Sequence, residues 1–268
     1  MPVTHRLVPE RPIRLTELPT RGQSFYPAGK EAAKAEFRAL RKELAELQYR
    51  FYADGRFRLL IILQAMDAGG KDGTIRRVFQ GVNPQGVRVT SFKVPSKEEL
   101  AHDFLWRIHK AVPGNGMIGI FNRSHYEDVL VVRVHNLVPE SVWRPRYEQI
   151  NQFEKMLTET GTTILKFYLH ISKEEQKQRF QERVDNPEKH WKFSHDDLKK
   201  RALWDAYMAA YEEALNRCTT PWAPWYVIPA DQKWYRNLAI ARVIVDTIKQ
   251  LDPQFPPPEG DLSQVVIE

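Results

Sequence analysis

The sequence predicts a three-layer α/β/α fold, a five-stranded and mostly parallel sheet with helices on both faces. Two observations predict it. Short aliphatic runs alternate with segments of helical periodicity along the chain, the pattern of parallel strands joined by crossover helices. Several of the runs are almost continuously apolar, as strands buried on both faces are. A third observation places the business edge of the sheet: one run feeds a glycine-rich turn that opens a helix, and in such sheets ligands bind beyond the carboxyl ends of the strands. With 268 residues, of which 42% are apolar, there is enough material for one large α/β domain or two modest ones.

The elements follow in order. Glu31 to Tyr52 carries Ala33, Phe37, Leu40, Leu44 and Leu47 at helical spacing and reads as a long amphipathic helix. Arg58-Leu59-Leu60-Ile61-Ile62-Leu63 is the first strand, and the helix after its glycine turn runs to about Gln80. Val87 to Phe92 is the second strand, Lys97 to His109 a helix, and Met117 to Phe121 the third strand. Two helices are expected over Tyr126–His135 and Glu140–Thr160, then a fourth strand over Thr163–Leu169. Helices over Lys173–Val184 and Asp196–Arg217 precede a fifth strand, Trp225–Pro229, and a last helix from about Lys233 to Leu251. Residues 1–28 read as an N-terminal arm, because Pro9 to Pro27 holds four prolines and few apolar clusters, and the proline-rich stretch from Asp252 starts a tail over 252–268. The folded domain is then 29–251.

The first strand leads into Gln64-Ala65-Met66-Asp67-Ala68-Gly69-Gly70-Lys71-Asp72-Gly73-Thr74. Glycines allow a tight turn and close approach of a ligand, and the helix that follows turns its free N–H groups and the positive end of its dipole to one point. That is a phosphate site. Against the P-loop pattern G-x-x-x-x-G-K-[ST], Gly70 and Lys71 are in place, but Ala65 stands where the first glycine belongs and Asp72 where a metal-binding hydroxyl belongs. Another oxygen must then hold a cation, and the Asp67 carboxylate is the candidate, being a hard ligand suited to Mg²⁺.

The third strand runs into Asn122-Arg123-Ser124-His125-Tyr126-Glu127-Asp128. P-loop enzymes place a metal-holding acid near here. The Asn122 carbonyl can contact a hydrated Mg²⁺ but supplies no charge, so Glu127 and Asp128 join it as candidates to complete a metal site, while Arg123 can spread charge on a transferring phosphoryl group. Ser124 with Glu127 three residues on also reads as a helix capping box. In the third constellation, Arg179 and Arg183 share a helix face, and after Pro187 comes the basic-aromatic stretch Lys189-His190-Trp191-Lys192-Phe193. Taken alone it suits a solvated, ion-paired helix; beside the other two motifs it suits a lid over about 173–201 whose arginines complete a site on closing.

The net charge of +6 and an isoelectric point of about 9.3 favour a polyanionic partner without naming it. No apolar run reaches 18 residues, so no membrane span is expected, and the first residues lack the apolar stretch of a signal peptide. A single cysteine, Cys218, suits a reducing, cytoplasmic setting. No basic tail or nucleic-acid module is visible, which argues against a nucleic-acid partner.

Three separated motifs in order, Met66-Asp67-Ala68-Gly69-Gly70-Lys71-Asp72-Gly73, Phe121-Asn122-Arg123-Ser124-His125-Tyr126-Glu127-Asp128 and His190-Trp191-Lys192-Phe193-Ser194 with Leu203-Trp204-Asp205, resemble the family-2 polyphosphate kinases over about Gly29 to Gln250. The resemblance implies a thymidylate-kinase-like P-loop kinase fold with a helical lid. It also implies Mg²⁺-dependent transfer of a phosphoryl group between inorganic polyphosphate and nucleotides. It assigns Asp67 to Mg²⁺ (with Mn²⁺ as a substitute), and Lys71 with the N–H groups of Ala68, Gly69, Gly70, Asp72, Gly73 and Thr74 to phosphates. Arg123 falls to the reacting phosphates, and Arg179 and Arg183 to lid closure. The Asn122-to-Asp128 form is similar to the class III subgroup, whose members phosphorylate both AMP and ADP, and relatives assemble as dimers or tetramers. The competing expectation is an ATP-dependent nucleoside monophosphate kinase, which would share the loop, the lid and the fold.

Overall fold

The computed structural model describes residues 5–267. Helix α1 (Gly29–Asp54) ends where Gly55 takes a left-handed conformation, φ 70°, that an L side chain would strain. Strand β1 (Arg58–Gln64) leads to α2 (Lys71–Val78), then β2 (Val87–Ser91). Two single turns, α3 (Lys97–Leu100) and α4 (Trp106–His109), precede β3 (Ile118–Asn122). After a 3₁₀ turn at His125–Asp128 come α5 (Val131–Val134), α6 (Glu140–Trp143), α7 (Arg146–Glu159) and β4 (Thr162–His170). The chain closes with α8 (Lys173–Asp185), a 3₁₀ turn at Pro187–Lys192, α9 (His195–Ala202), α10 (Trp204–Arg217), β5 (Trp225–Pro229) and α11 (Lys233–Leu251).

The five strands form one all-parallel sheet in the order β2-β3-β1-β4-β5. Strand β1 is central and both its neighbours come later in the chain, so the order reverses beside it. The crevice beyond its carboxyl end is therefore the expected ligand position. Leu59 to Leu63 are fully buried, as a strand covered on both faces must be. Helix α11 packs along α1 and touches α2, while α7 packs against β4 and α10 against α5.

Four of the expected helices are broken. The helix over 97–109 stops after Leu100 and restarts where the Asp103 carboxylate accepts from the Leu105 N–H (2.9 Å), the local bond by which Asp competes with a helix. The helix over 140–160 divides at Pro145, which lacks the N–H needed to continue a preceding turn and instead opens α7. The segment over 126–135 starts as a 3₁₀ turn and breaks at Leu130, and that over 196–217 breaks at Leu203, where the last turn of α9 tightens.

The N-terminal segment, expected as an arm, lies along the domain. Leu7 donates to the Trp225 carbonyl (2.8 Å) and Val227 to the His5 carbonyl (2.9 Å), an antiparallel bridge that covers the β5 edge. The Asn216 and Glu212 side chains accept from the N–H groups of Ile13 and Leu15. Among the described residues no helix is long and apolar enough to cross a membrane.

Candidate functional site

The glycine loop, Ala65 to Gly70, lies at the switch point. Two positions demand glycine. A Cβ at Gly69 would stand 2.5 Å from that of Ala65, and Gly70 caps α2 at φ 102°, with Arg236 Nη1 2.0 Å from where its Cβ would be. Ala68 (φ 60°) and Arg123 (φ 63°) are held in the left-handed region without glycine's freedom, at a cost of roughly 1–2 kcal/mol each. Strain of this kind gathers at ligand sites. The first turn of α2 leaves the N–H groups of Lys71, Asp72 and Gly73 without intrahelical acceptors. Two of the expected donors are spent within the fold: the Gly69 N–H on the Met66 carbonyl (2.9 Å) and the Thr74 N–H on the Gly70 carbonyl (2.9 Å). Thr74 is buried, and its hydroxyl also donates to Gly70; it belongs to the loop's framework.

Lys71 is buried and donates to the Ala65 carbonyl (2.7 Å), so it braces the loop from inside. Burial and the neighbouring Arg123 charge lower its ammonium to about 8, against the pull of Asp67, Glu127 and Asp72. Asp67 sits between cations, with Arg123 Nη2 at 2.7 Å and Lys200 Nζ at 3.2 Å. Burial alone would raise its carboxyl; the charges of Lys71, Arg123 and Lys200 outweigh that and hold it ionised. Gln176 fixes the Asp67 carbonyl (2.9 Å) from α8.

The β3 loop lies alongside. Asn122 donates to Asp72 (2.6 Å) and lines the same cleft. The expected capping box does not form. Ser124 accepts from the Tyr126 N–H (3.2 Å), while Glu127 turns to Arg123 (3.5 Å) and to the Gln64 amide, oriented with its nitrogen toward Glu127 (3.1 Å). Glu127 thus joins Asp67, Arg123, Lys200, Tyr207 and Tyr211 around a small second cavity. Asp128 points elsewhere. Its carboxylate accepts from Arg146 (3.0 Å), and burial raises it to about 6 despite the Arg146 and Arg107 charges. It borders neither cavity, so the structure does not bring it together with Asp67 and Glu127.

Behind this loop lies a fully buried network. Lys166 on β4 donates to Glu154 (2.6 Å), to the Tyr126 hydroxyl (2.8 Å) and to the Cys218 carbonyl (2.7 Å), and Tyr126 donates to Glu154 (2.9 Å). His125 reaches Glu154 at 3.2 Å and is kept neutral by burial, a structural role. Burial would raise the Glu154 carboxyl, but Lys166 and His125 hold it below its ordinary value. Burial pushes the Cys218 thiol up to about 12.

Of the two expected lid arginines, Arg179 is a strut. A guanidinium has five N–H donors, and here they meet the Glu175 carboxylate and the carbonyls of Ala68, Gly69, Ala230 and Asp231. It ties the glycine loop to the end of β5 and has no donor left for a ligand. Arg183 holds Asp197 (3.0 Å) and the Lys192 carbonyl (3.0 Å) and lines the cleft.

The cleft itself measures about 580 Å³ and is bordered by ten Lys and Arg side chains against three acids, Asp67, Asp72 and Glu182. Arg76, Lys93, Lys189, Lys192, Lys233 and Arg236 line it in addition to the expected residues. Lys189 and Lys192 stand in the basic-aromatic stretch the sequence singles out. Lys200, Lys233 and Arg236 carry no local signal. Only the parallel topology, which starts α11 beside the glycine loop, could point to the last two. Among the described residues no three His, Cys, Asp or Glu side chains group as a metal cage. Mg²⁺ is often held by one or two carboxylates and substrate phosphates, and an ionised Asp67 in a cationic cleft fits that mode.

A family model described as Polyphosphate kinase 2 (PPK2) matches residues 28–256. The chain is 54% identical to an AMP/ADP-polyphosphate phosphotransferase of Meiothermus ruber, over 98% of this chain and 99% of the relative. It is 46% identical to an ADP-polyphosphate phosphotransferase of Rhodopseudomonas palustris, over 91% and 88%. Its fold superposes on the crystal structure of polyphosphate kinase 2 from Arthrobacter aurescens TC1 with a TM-score of 0.93 at 44% identity, covering 97% of this chain and 92% of that one. A cationic cleft over a glycine loop, a fold shared with a solved polyphosphate kinase 2 and a family model matched over most of its length leave one conclusion: the chain belongs to the polyphosphate kinase 2 family.

Proposed function

We propose that this enzyme transfers a phosphoryl group from inorganic polyphosphate to AMP and ADP, giving ADP and ATP, reversibly and without a covalent enzyme intermediate. The observation that carries the reading is the ten-cation cleft around the first turn of α2. The relative 54% identical over nearly its whole length is an AMP/ADP-polyphosphate phosphotransferase, which supports the acceptor range.

Two polyanions must meet, and their repulsion is the main barrier to assembly. Phosphoryl transfer asks the protein chiefly for in-line placement and charge neutralisation. The N–H groups of Lys71, Asp72 and Gly73 receive phosphate oxygens at the positive end of α2. Arg123, held by Asp67 and Glu127, keeps its Nε donor and a share of its Nη donors for the transferring group. Asp67 would hold Mg²⁺, which would supply further neutralisation of phosphate oxygens, and Asn122 lines the same cleft. Segment 173–201 acts as the lid, with Arg183, Lys189, Lys192 and Lys200 as its cations.

The test is incubation with AMP, Mg²⁺ and polyphosphate, ATP being absent, followed by separation of nucleotides. ADP and then ATP should appear. ATP from ADP with no product from AMP would reject the wider acceptor range. No product from either would hand the site to an ATP-dependent nucleoside monophosphate kinase.

A further inference from the structure

Arg236 is 3% exposed, yet it borders the cleft. Its Nε and Nη2 groups both donate to the Asn237 side-chain oxygen (3.1 and 2.9 Å), which fixes the plane of the guanidinium. Nη1 lies against Gly70, at the mouth of the α2 N-terminus. Among the described residues no carboxylate stands within ion-pair distance of it, and Nη1 has no hydrogen-bond partner. The nearest charge effects come from Arg179, which repels it, and Glu175, which attracts it. Burial and Arg179 lower it to about 9. A buried charge without a partner is costly. Here it faces a cleft, is immobilised by Asn237, and adjoins helix N–H groups that favour the same anion.

We propose that Arg236 is a phosphate-binding residue of this site, clamping a phosphate of the polyphosphate chain against the first turn of α2. The inference rests on the polyphosphate reading and adds a residue and a binding wall to it. Polyphosphate is favoured over a nucleotide phosphate because of what surrounds Arg236. Lys233 stands one turn earlier on α11, and Lys189, Lys192 and Arg183 face it from segment 173–201. This wall sets four further cations around Arg236, a density of positive charge that suits a chain carrying a charge on every phosphate. The tyrosines near the site, Tyr207 and Tyr211, border the other cavity, beside Arg123.

Two measurements on Arg236→Met test it: equilibrium binding of tripolyphosphate and of ADP, each with Mg²⁺, and thermal unfolding of the unliganded protein. The expected result is at least tenfold weaker tripolyphosphate binding, ADP binding within twofold of wild type, and an unfolding temperature equal to or above wild type. Arg236→Lys, which keeps charge but loses the planar fork, should fold normally and fall between. Unchanged tripolyphosphate binding in either variant overturns the proposal. So does a loss confined to ADP, which would give Arg236 to the nucleotide, and so does a joint loss of both ligands with a lowered unfolding temperature, which would make it a scaffold residue. Wild-type protein that makes no ATP from ADP and polyphosphate would sink the functional reading itself. Wild type that does so, with a variant that binds tripolyphosphate equally well, would sink this inference alone.

Discussion

Two buried cations, one behind the β3 loop and one beside the glycine loop, keep very different company. Lys166, on β4, is fully buried and meets a carboxylate, a hydroxyl and a carbonyl, one partner for each of its three protons. Arg236, on α11, is 3% exposed and among the described residues hydrogen-bonds only an amide oxygen. The first is a closed set that holds the β3 loop from behind, through Tyr126 and His125. The second is open on the side of the cleft. Burial by itself therefore does not tell framework from function; whether the charge is already answered within the protein does.

The largest effect should come from Lys71, which lines the cleft and also braces the glycine loop through the Ala65 carbonyl. Lys71→Ala is expected to reduce turnover by at least about 100-fold, a typical loss when a charge-stabilising donor is removed, with circular dichroism unchanged. Near-normal turnover would erase the distinction drawn between the two regions. On the closed side, Glu154→Ala strands Lys166 in the core and should lower stability by about 3–5 kcal/mol, read from urea unfolding. A loss below about 1 kcal/mol would show that the network is not the anchor described. If the effect instead appeared only in activity, the closed set would belong to the site.

Acidity sharpens the same contrast. The Lys71 ammonium is lowered from 10.5 to about 8 in the fold. Between those values the unfolded chain binds more protons, so this group's contribution to stability rises with pH from about 8 to 10.5. Under the proposed function the charged ammonium is needed at the cleft, so kcat/KM should fall as pH rises through about 8. Wild type should gain stability relative to Lys71→Met between pH 7 and 10, and a parallel pair of urea-midpoint curves would refute the assignment. The smallest effect is expected at Asp128→Asn. Its carboxyl is raised to about 6, so above that pH the charged form is a cost that asparagine removes. Stability should change by less than about 1 kcal/mol, with Mg²⁺ dependence unaltered. A changed Mg²⁺ requirement would place Asp128 at the metal site.

The strands and the loop were legible because their signals are local. A continuous aliphatic run, a glycine pair before a lysine and an amphipathic period each act within one turn or strand. Helix ends were less legible. Pro145 breaks a helix expected to run through it, and the restart at Asp103 depends on a side chain choosing a backbone N–H over solvent. Ser124 and Glu127 have the spacing of a capping box, yet Glu127 is drawn to Arg123 and Gln64 once β1 and β3 lie side by side.

The same division holds for the chemistry. From the sequence alone came the sheet with its helices, the glycine turn at Gly70 and Lys71 as a candidate phosphate site, the candidate carboxylate Asp67 and the neighbouring Arg123. All lie in two short segments that end adjacent parallel strands. Only the tertiary structure decided which other charges belong to the cleft. It spent Arg179 on four carbonyls and a carboxylate, turned Asp128 to Arg146, set Lys200 beside Asp67 at the second cavity, and brought Lys233 and Arg236 into the cleft from α11, far along the chain. The reason is physical: a helical period fixes which face a side chain occupies, but its role depends on whether the groups it meets already satisfy its charge and hydrogen bonds, and those groups come from elsewhere in the fold.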